Sequence, residues 1–217
     1  QMIKLHGVPV SNYYNMVKMA MLERGIDFEE VSNPASQEAE FKKKSPMGKM
    51  PFIETDAGSL CETSVILDYL EAIHPTNSLY PTDPFEKAKT QEIMRVLEHY
   101  IELAGRRHFA HVFFKGPKSE AAVEEVRPII ENGLAALRQL CSFGPYFCGA
   151  NFGYADNVAH NSFGYANMAT QAVYGWDITA EIPGLADSLA ATDARESTKK
   201  VDADLAAAMK AFMEAQG

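Results

Sequence analysis

Residues 45–64, "SPMGKMPFIETDAGSLCETS", decide how this chain is read. "PFIET" and "SLC" flank the turn-forming "DAG", so the stretch predicts a β-hairpin with Pro51 at its head. Proline has no N–H for a sheet ladder and is accommodated at an edge or at the first residue of a strand. Holding an X–Pro bond cis costs only about 0.5–1 kcal/mol. A cis Met50–Pro51 bond would aim the N–H and C=O of Met50 outward, ready to pair with an extended peptide laid beside the sheet. Glu62 and Thr63 fall where the hairpin ends and the next helix begins. Free N–H groups there attract a carboxylate, Thr63 adds a hydroxyl, and Glu62 can accept from an ammonium. The ligand so drawn has a peptide-like middle and an amino-acid head bearing both charges. The competing reading makes Pro51 an ordinary edge proline and Glu62-Thr63 a helix cap.

Outward from the hairpin, "IKLHG" (3–7) reads as a strand closed by Gly7. "YNMVKMAMLERG" (14–25) reads as a helix, with Met16, Met19, Ala20 and Leu22 near helical spacing and Gly25 as its stop. "IDFEEV" (26–31) alternates with period two, as a half-buried strand does, and a polar link with a short helix around 37–44 follows. After the hairpin, "SVILDYLEAIH" (64–74) sets Val65, Ile66, Tyr69, Leu70 and Ile73 on one helical face. "HPTNSLYPTDPFE" (74–86) carries Pro75, Pro81 and Pro84 and reads as a linker. Helices are predicted over 86–114, 119–142, 154–172, 183–191 and 200–215. The expected fold is therefore α/β plus all-α: a βαβ-ββα domain (1–78), a linker (79–85) and an all-helical C-terminal domain (86–217).

Composition narrows the function classes. The 217 residues are 47% hydrophobic and 23% charged, with apolar runs too short to span a membrane. No basic-then-apolar opening segment predicts secretion. A formal charge of −9 argues against a nucleic-acid partner, which calls for a basic face. Cys61, Cys141 and Cys148 are odd in number and lack zinc spacing, so reduced thiols in a cytoplasm are expected, each a small buried hydrophobe.

The run from Ser45 to Leu70 resembles the glutathione-binding signature of cytosolic glutathione transferases. In that family Asn-Pro-x-Gly-Lys-Val-Pro leads through a hairpin to Glu-Ser and a helix ending in Tyr-Leu. Pro46, Gly48, Lys49, Pro51, Leu60, Glu62, Ile66, Tyr69 and Leu70 match. Ser45 replaces the usual Asn, Met50 the usual Val, and Thr63 the usual Ser, which keeps the hydroxyl. "FGYADNVAH" (152–160) resembles the start of the family's buried core helix, normally Ser/Thr-x-x-Asp; Gly153 holds the cap position, leaving Asp156 half of the capping box. "IPGLADSLAATDARESTKKV" resembles the family's last helices, with Glu196 where a proline often sits. The resemblance implies a thioredoxin-like N-terminal domain, glutathione as co-substrate with no metal, a cytoplasmic homodimer without membrane or nucleic-acid partners, and a role in detoxification.

By the same resemblance, the residue after the first strand governs the chemistry. Ser11 stands six residues before Val17, in the family's serine pattern, and is the expected catalytic residue; Tyr13 and Tyr14 are rivals. Its task would be to keep the glutathione sulfur ionised. A free thiol has a pKa of about 8.5. A hydroxyl donating to an anion contributes roughly 1.5–3 kcal/mol, or about one to two pKa units. The helix N-terminus adds about 0.3–1 kcal/mol. Glutathione contacts are expected from Lys49, Met50, Pro51, Glu62 and Thr63, with Gln37 or Ser36 near the tail. A largely apolar electrophile is expected near Tyr13, Tyr14, Tyr100, Arg107 and His111, with Phe109 and Phe114 as further wall candidates, although one side of that helix must be core. His108 and His111 supply two ligands of a metal site with no third placed by the sequence, so no metal is expected. Glutathione-dependent peroxide or disulfide reduction, isomerisation, and a non-catalytic regulatory protein of the same fold are the alternatives to conjugation.

Overall fold

The computed structural model describes residues 2–216. The first elements are β1 (Ile3–Gly7), α1 (Asn12–Arg24), β2 (Phe28–Ser32), α2 (Ala39–Lys42), β3 (Phe52–Thr55), β4 (Gly58–Cys61) and α3 (Thr63–Ile73). They form one four-stranded sheet ordered β2-β1-β3-β4. β1 runs parallel to β2, as a βαβ crossover requires, while β3 is antiparallel to both β1 and β4. Asp56 and Ala57 close the hairpin between the paired Thr55 and Gly58, and the Thr55 hydroxyl accepts from the Ala57 amide at 3.2 Å. This is the thioredoxin-like arrangement expected of the N-terminal residues.

Ile3, Leu5, Tyr14, Val17, Met21, Ile26, Ile53, Ile66 and Leu70 make the core of this unit. α1 is buried on nearly every side, which explains why its apolar residues do not sort into a single clean stripe. α3 turns Ile66, Leu67 and Leu70 inward, but Val65 and Ile73, read from the sequence as part of that face, are exposed.

The remaining elements are helical: α4 (Pro84–Val96), a π-helical segment (Leu97–Glu102), α5 (Leu103–Arg106), α6 (Phe109–Phe114), α7 (Glu120–Leu140), α8 (Tyr154–Tyr174), a 3₁₀ turn (Ile178–Ala180), α9 (Leu185–Asp193) and α10 (Glu196–Gln216). The single helix predicted over 86–114 is thus divided, because the hydrogen-bond ladder widens at Leu97 and stops at Arg107-His108. α8 begins as the sequence suggests: the carboxylate of Asp156, 1% exposed, accepts from the Gly153 amide at 2.9 Å and the Phe147 amide at 2.8 Å.

By contact the chain forms two compact units, one comprising the chain to Leu79 together with the segment from Arg195 onward, the other Tyr80–Ala194. α10 belongs with the first, and ion pairs hold it there. Lys18, 2% exposed on α1, reaches Glu30 of β2 at 2.9 Å and Asp204 of α10 at 2.6 Å. Arg195 donates to both carboxylate oxygens of Glu23, each at 3.0 Å through Nε, and Ser197 adds its hydroxyl at 2.5 Å. Burial pushes the Glu23 carboxyl up, but Arg195 and Ser197 outweigh it and hold it below the usual range. Asp204 is likewise raised by burial and lowered further by Lys18 and Lys200.

Candidate functional site

The residues expected to form the site lie where β1 gives way to α1 and where β4 gives way to α3. After Gly7 the chain turns, with the Ser11 amide bonded to the Val8 carbonyl at 3.0 Å. Ser11 is the N-cap of α1, with extended backbone (φ −83°, ψ 118°), and its Oγ accepts from the Tyr14 amide at 3.2 Å. This is the ordinary helix-capping geometry. It uses only an acceptor lone pair, and the hydroxyl hydrogen has no partner among the described residues.

Of the two tyrosine rivals, Tyr14 is removed by the structure. It is 1% exposed, part of the core, and its hydroxyl donates to Glu30. Burial and the Glu30 carboxylate push that hydroxyl pKa far up. The expectation that Tyr14 lines a ligand surface is therefore corrected: its ring packs against the sheet because α1 is central, not superficial. Tyr13 is half-buried in the first turn of α1, its amide bonded to Asn12 Oδ1 at 3.1 Å.

The other half of the site starts at Ser45. This buried residue donates its hydroxyl to the Lys49 carbonyl at 2.6 Å, closing the turn that carries Gly48. Gly48 has φ +67°, and a Cβ there would lie 2.4 Å from Gln37 Nε2 and 2.5 Å from the Ser36 carbonyl. No side chain fits, which is why the Ser36-Gln37 loop can lie against it. Gln37 is exposed and donates to the Met47 carbonyl at 3.2 Å. Lys49 is exposed and makes no ion pair among the described residues.

The Met50–Pro51 peptide is cis, Pro51 is buried, and Phe52 opens the pairing of β3 with His6 of β1. The backbone N–H and C=O of Met50 have no partner among the described residues. Glu62 then holds φ +66° and ψ 114°, a conformation that non-glycine residues rarely adopt and that costs roughly 1–3 kcal/mol. Its exposed side chain makes no capping bond, so the competing reading of Glu62-Thr63 as an ordinary helix cap fails. The first turn of α3 keeps its amide donors, and the Thr63 hydroxyl has no partner among the described residues.

In the second unit, Tyr100 sits on the π-helical segment and is 47% exposed. Exposed Arg107 pairs with Glu125 at 2.7 Å, and exposed His111 lies 3.0 Å from the Gly116 carbonyl. Phe109 is buried against Phe113 and Tyr165, a core residue and not a wall, whereas Phe114 is 64% exposed. His108 is buried against the Tyr174 hydroxyl at 3.0 Å, and burial lowers its pKa. Cys148 is exposed, against expectation, while Cys61 and Cys141 are half-buried; burial pushes the Cys141 thiol up to about 12. Sequence reasoning gave Ser45 no role here, although its place in the matched run carried a signal.

The sheet order, with β1 parallel to β2 and antiparallel to β3, defines a thioredoxin-like domain followed by helices. The glutathione S-transferase N-terminal domain family matches residues 5–78. A glutathione S-transferase of Pseudomonas putida is 40% identical over 213 residues, covering 98% of this chain and 97% of that protein. The crystal structure of a glutathione S-transferase from Methylobacterium radiotolerans, in complex with glutathione sulfonate, superposes with a TM-score of 0.76 at 25% identity, covering 93% of this chain and 94% of that one. A poplar glutathione transferase F1 variant shares the fold at 19% identity, with a TM-score of 0.80 and coverage of 94% and 98%. The chain belongs to the glutathione S-transferase family and is an enzyme of that class.

Proposed function

We propose that the protein binds glutathione along the edge from Met50 to Thr63 and ionises its thiol with the Ser11 hydroxyl for attack on a largely apolar electrophile. The observation that carries this reading is the start of α3: a residue held at positive φ, no side-chain cap, and amide donors left for a ligand. The γ-glutamyl carboxylate meets those donors and the Thr63 hydroxyl, while its ammonium is paired by Glu62. The unpartnered main chain of Met50 matches the donor and acceptor of the cysteinyl unit. Lys49 and Gln37 are left for the glycine end.

At Ser11 one lone pair accepts from the Tyr14 amide while the hydrogen is offered to sulfur. Accepting a hydrogen bond polarises a hydroxyl and strengthens its donation. With the α1 N-terminus behind it, the anion gains roughly 2–4 kcal/mol, enough to move a thiol pKa of about 8.5 below neutrality without a general base. The bond formed is carbon–sulfur; the bond broken is the carbon's bond to a leaving group, which departs with its electron pair, or the π bond of an activated alkene, which then takes a proton from solvent, the thiol proton having left to solvent before attack. No described helix is long and apolar enough to cross a membrane. A cytoplasmic homodimer is the assembly proposed, from kinship with the family.

The test follows the thiolate absorbance of bound glutathione against pH, together with conjugation to a panel of electrophiles. Ser11→Ala raises the ionisation midpoint by about one to two pH units and lowers kcat. A midpoint unchanged by Ser11→Ala contradicts the assignment, and activity confined to peroxides or disulfides redirects it to reduction.

A further inference from the structure

We propose that Asn15 is a positioning residue for Ser11, acting through the loop between β1 and α1. This rests on the reading of Ser11 given above. Asn15 is 1% exposed, in the first turns of a helix whose other buried residues are mostly apolar. Its Nδ2 donates to the Pro9 carbonyl at 2.8 Å, and its main-chain amide donates to the Ser11 carbonyl at 3.0 Å. One residue therefore grips the loop at two points, two residues before Ser11 and at Ser11 itself.

The other bonds that fix Ser11 are Ser11 N to Val8 O and Tyr14 N to Ser11 Oγ. Among these contacts, the Asn15 amide is the one side chain other than Ser11's own. Pro9 lacks an N–H, so its carbonyl is the hydrogen-bonding group it can offer to anchor the loop. The Oδ1 of Asn15 is buried with no hydrogen-bond partner in the described structure, a cost to folding that an apolar residue would avoid. Packing alone does not call for an amide here, whereas a donor to Pro9 does. Small displacements of a catalytic donor are costly, since misplacement by about 1 Å loses up to about a hundredfold in rate.

The experiment compares wild type, Asn15→Asp, Asn15→Ala, Ser11→Ala and the Ser11→Ala/Asn15→Ala double variant. Each is checked for fold by circular dichroism, bound to glutathione and titrated by thiolate absorbance. Asn15→Asp keeps the volume and replaces the amide donor by an acceptor; Asn15→Ala serves if that variant does not fold. The expected result is a midpoint raised by about 0.5–1 pH unit with kcat lowered about three- to tenfold, and glutathione affinity within about twofold of wild type. The double variant should match Ser11→Ala, because a residue acting only through another adds nothing once that one is gone. An unmoved midpoint in both Asn15 variants, or additive effects in the double variant, overturns the inference while leaving Ser11 in place. If Ser11→Ala itself leaves the midpoint unmoved, the reading of Ser11 fails and this inference falls with it.

Discussion

Two helices of the same unit begin in opposite ways. α1 is capped by its own chain, with Ser11 accepting from the Tyr14 amide. α3 is not: Glu62 stands at φ +66° with its carboxylate turned to no amide of its own helix. A cap normally contributes about 1 kcal/mol, and the strain at Glu62 costs roughly 1–3 kcal/mol. The N-terminal unit therefore forgoes stability at one helix start and keeps it at the other. On the function proposed, the difference separates two ways of meeting an anion. At α1 a capped serine offers a single oriented hydrogen; at α3 an open turn offers several donors at once.

The contrast can be sharpened against a third helix start. In α8 the Asp156 carboxylate is buried and accepts from the Gly153 and Phe147 amides. Asp156→Ala removes both bonds and should destabilise the fold by about 3 kcal/mol, lowering Tm by roughly 10 °C in a melting scan. Such a substitution tests a start used purely for stability, so glutathione affinity measured well below Tm should stay the same.

Next in size is the clasp of α10. Arg195→Ala leaves Glu23 without its bidentate partner and should cost about 2 kcal/mol, part of the pair being open to solvent. Glu23 and Asp204 are both held below the usual carboxylate range, Glu23 by Arg195 and Ser197 and Asp204 by Lys18 and Lys200, in each case against a burial effect that raises it. Their stabilisation is fully present above the unfolded pKa values, near pH 4, and is lost as pH falls through the lower folded values. Urea midpoints measured between about pH 5 and pH 3 should fall, and the fall should be shallower in Arg195→Ala.

Thr63→Val removes a hydroxyl from the open start of α3. Glutathione affinity should weaken about tenfold while Tm moves by less than about 2 °C, since no bond among the described residues is lost. Equal losses of stability and affinity would erase the distinction drawn between α1 and α3.

Much of this was legible in the sequence. The hairpin followed from Pro51 and "DAG", and Asp156 from the resemblance of "FGYADNVAH" to the start of the family's buried core helix. What escaped depends on partners distant along the chain. The placement of α10 rests on Lys18–Asp204 and Glu23–Arg195, which no local spacing reveals. Tyr14 lies beside Tyr13, yet burial of α1 on nearly every side sends one ring into the core and leaves the other half-buried. The π-helical segment at Leu97–Glu102 interrupts a run that carries no proline or glycine before Gly105. The positive φ of Glu62 is invisible to propensity altogether, because that backbone region favours glycine, asparagine or aspartate and a glutamate gives no sign of it.

The most direct measurement is made on Glu62→Gly, with thermal unfolding and calorimetric titration of glutathione run side by side. Glycine takes positive φ without a Cβ penalty and removes the carboxylate, so Tm should rise, by about 1 kcal/mol in stability, while glutathione binds about tenfold more weakly. A lower Tm, or undiminished affinity, would contradict the claim that this helix start gives up stability in order to hold the ligand.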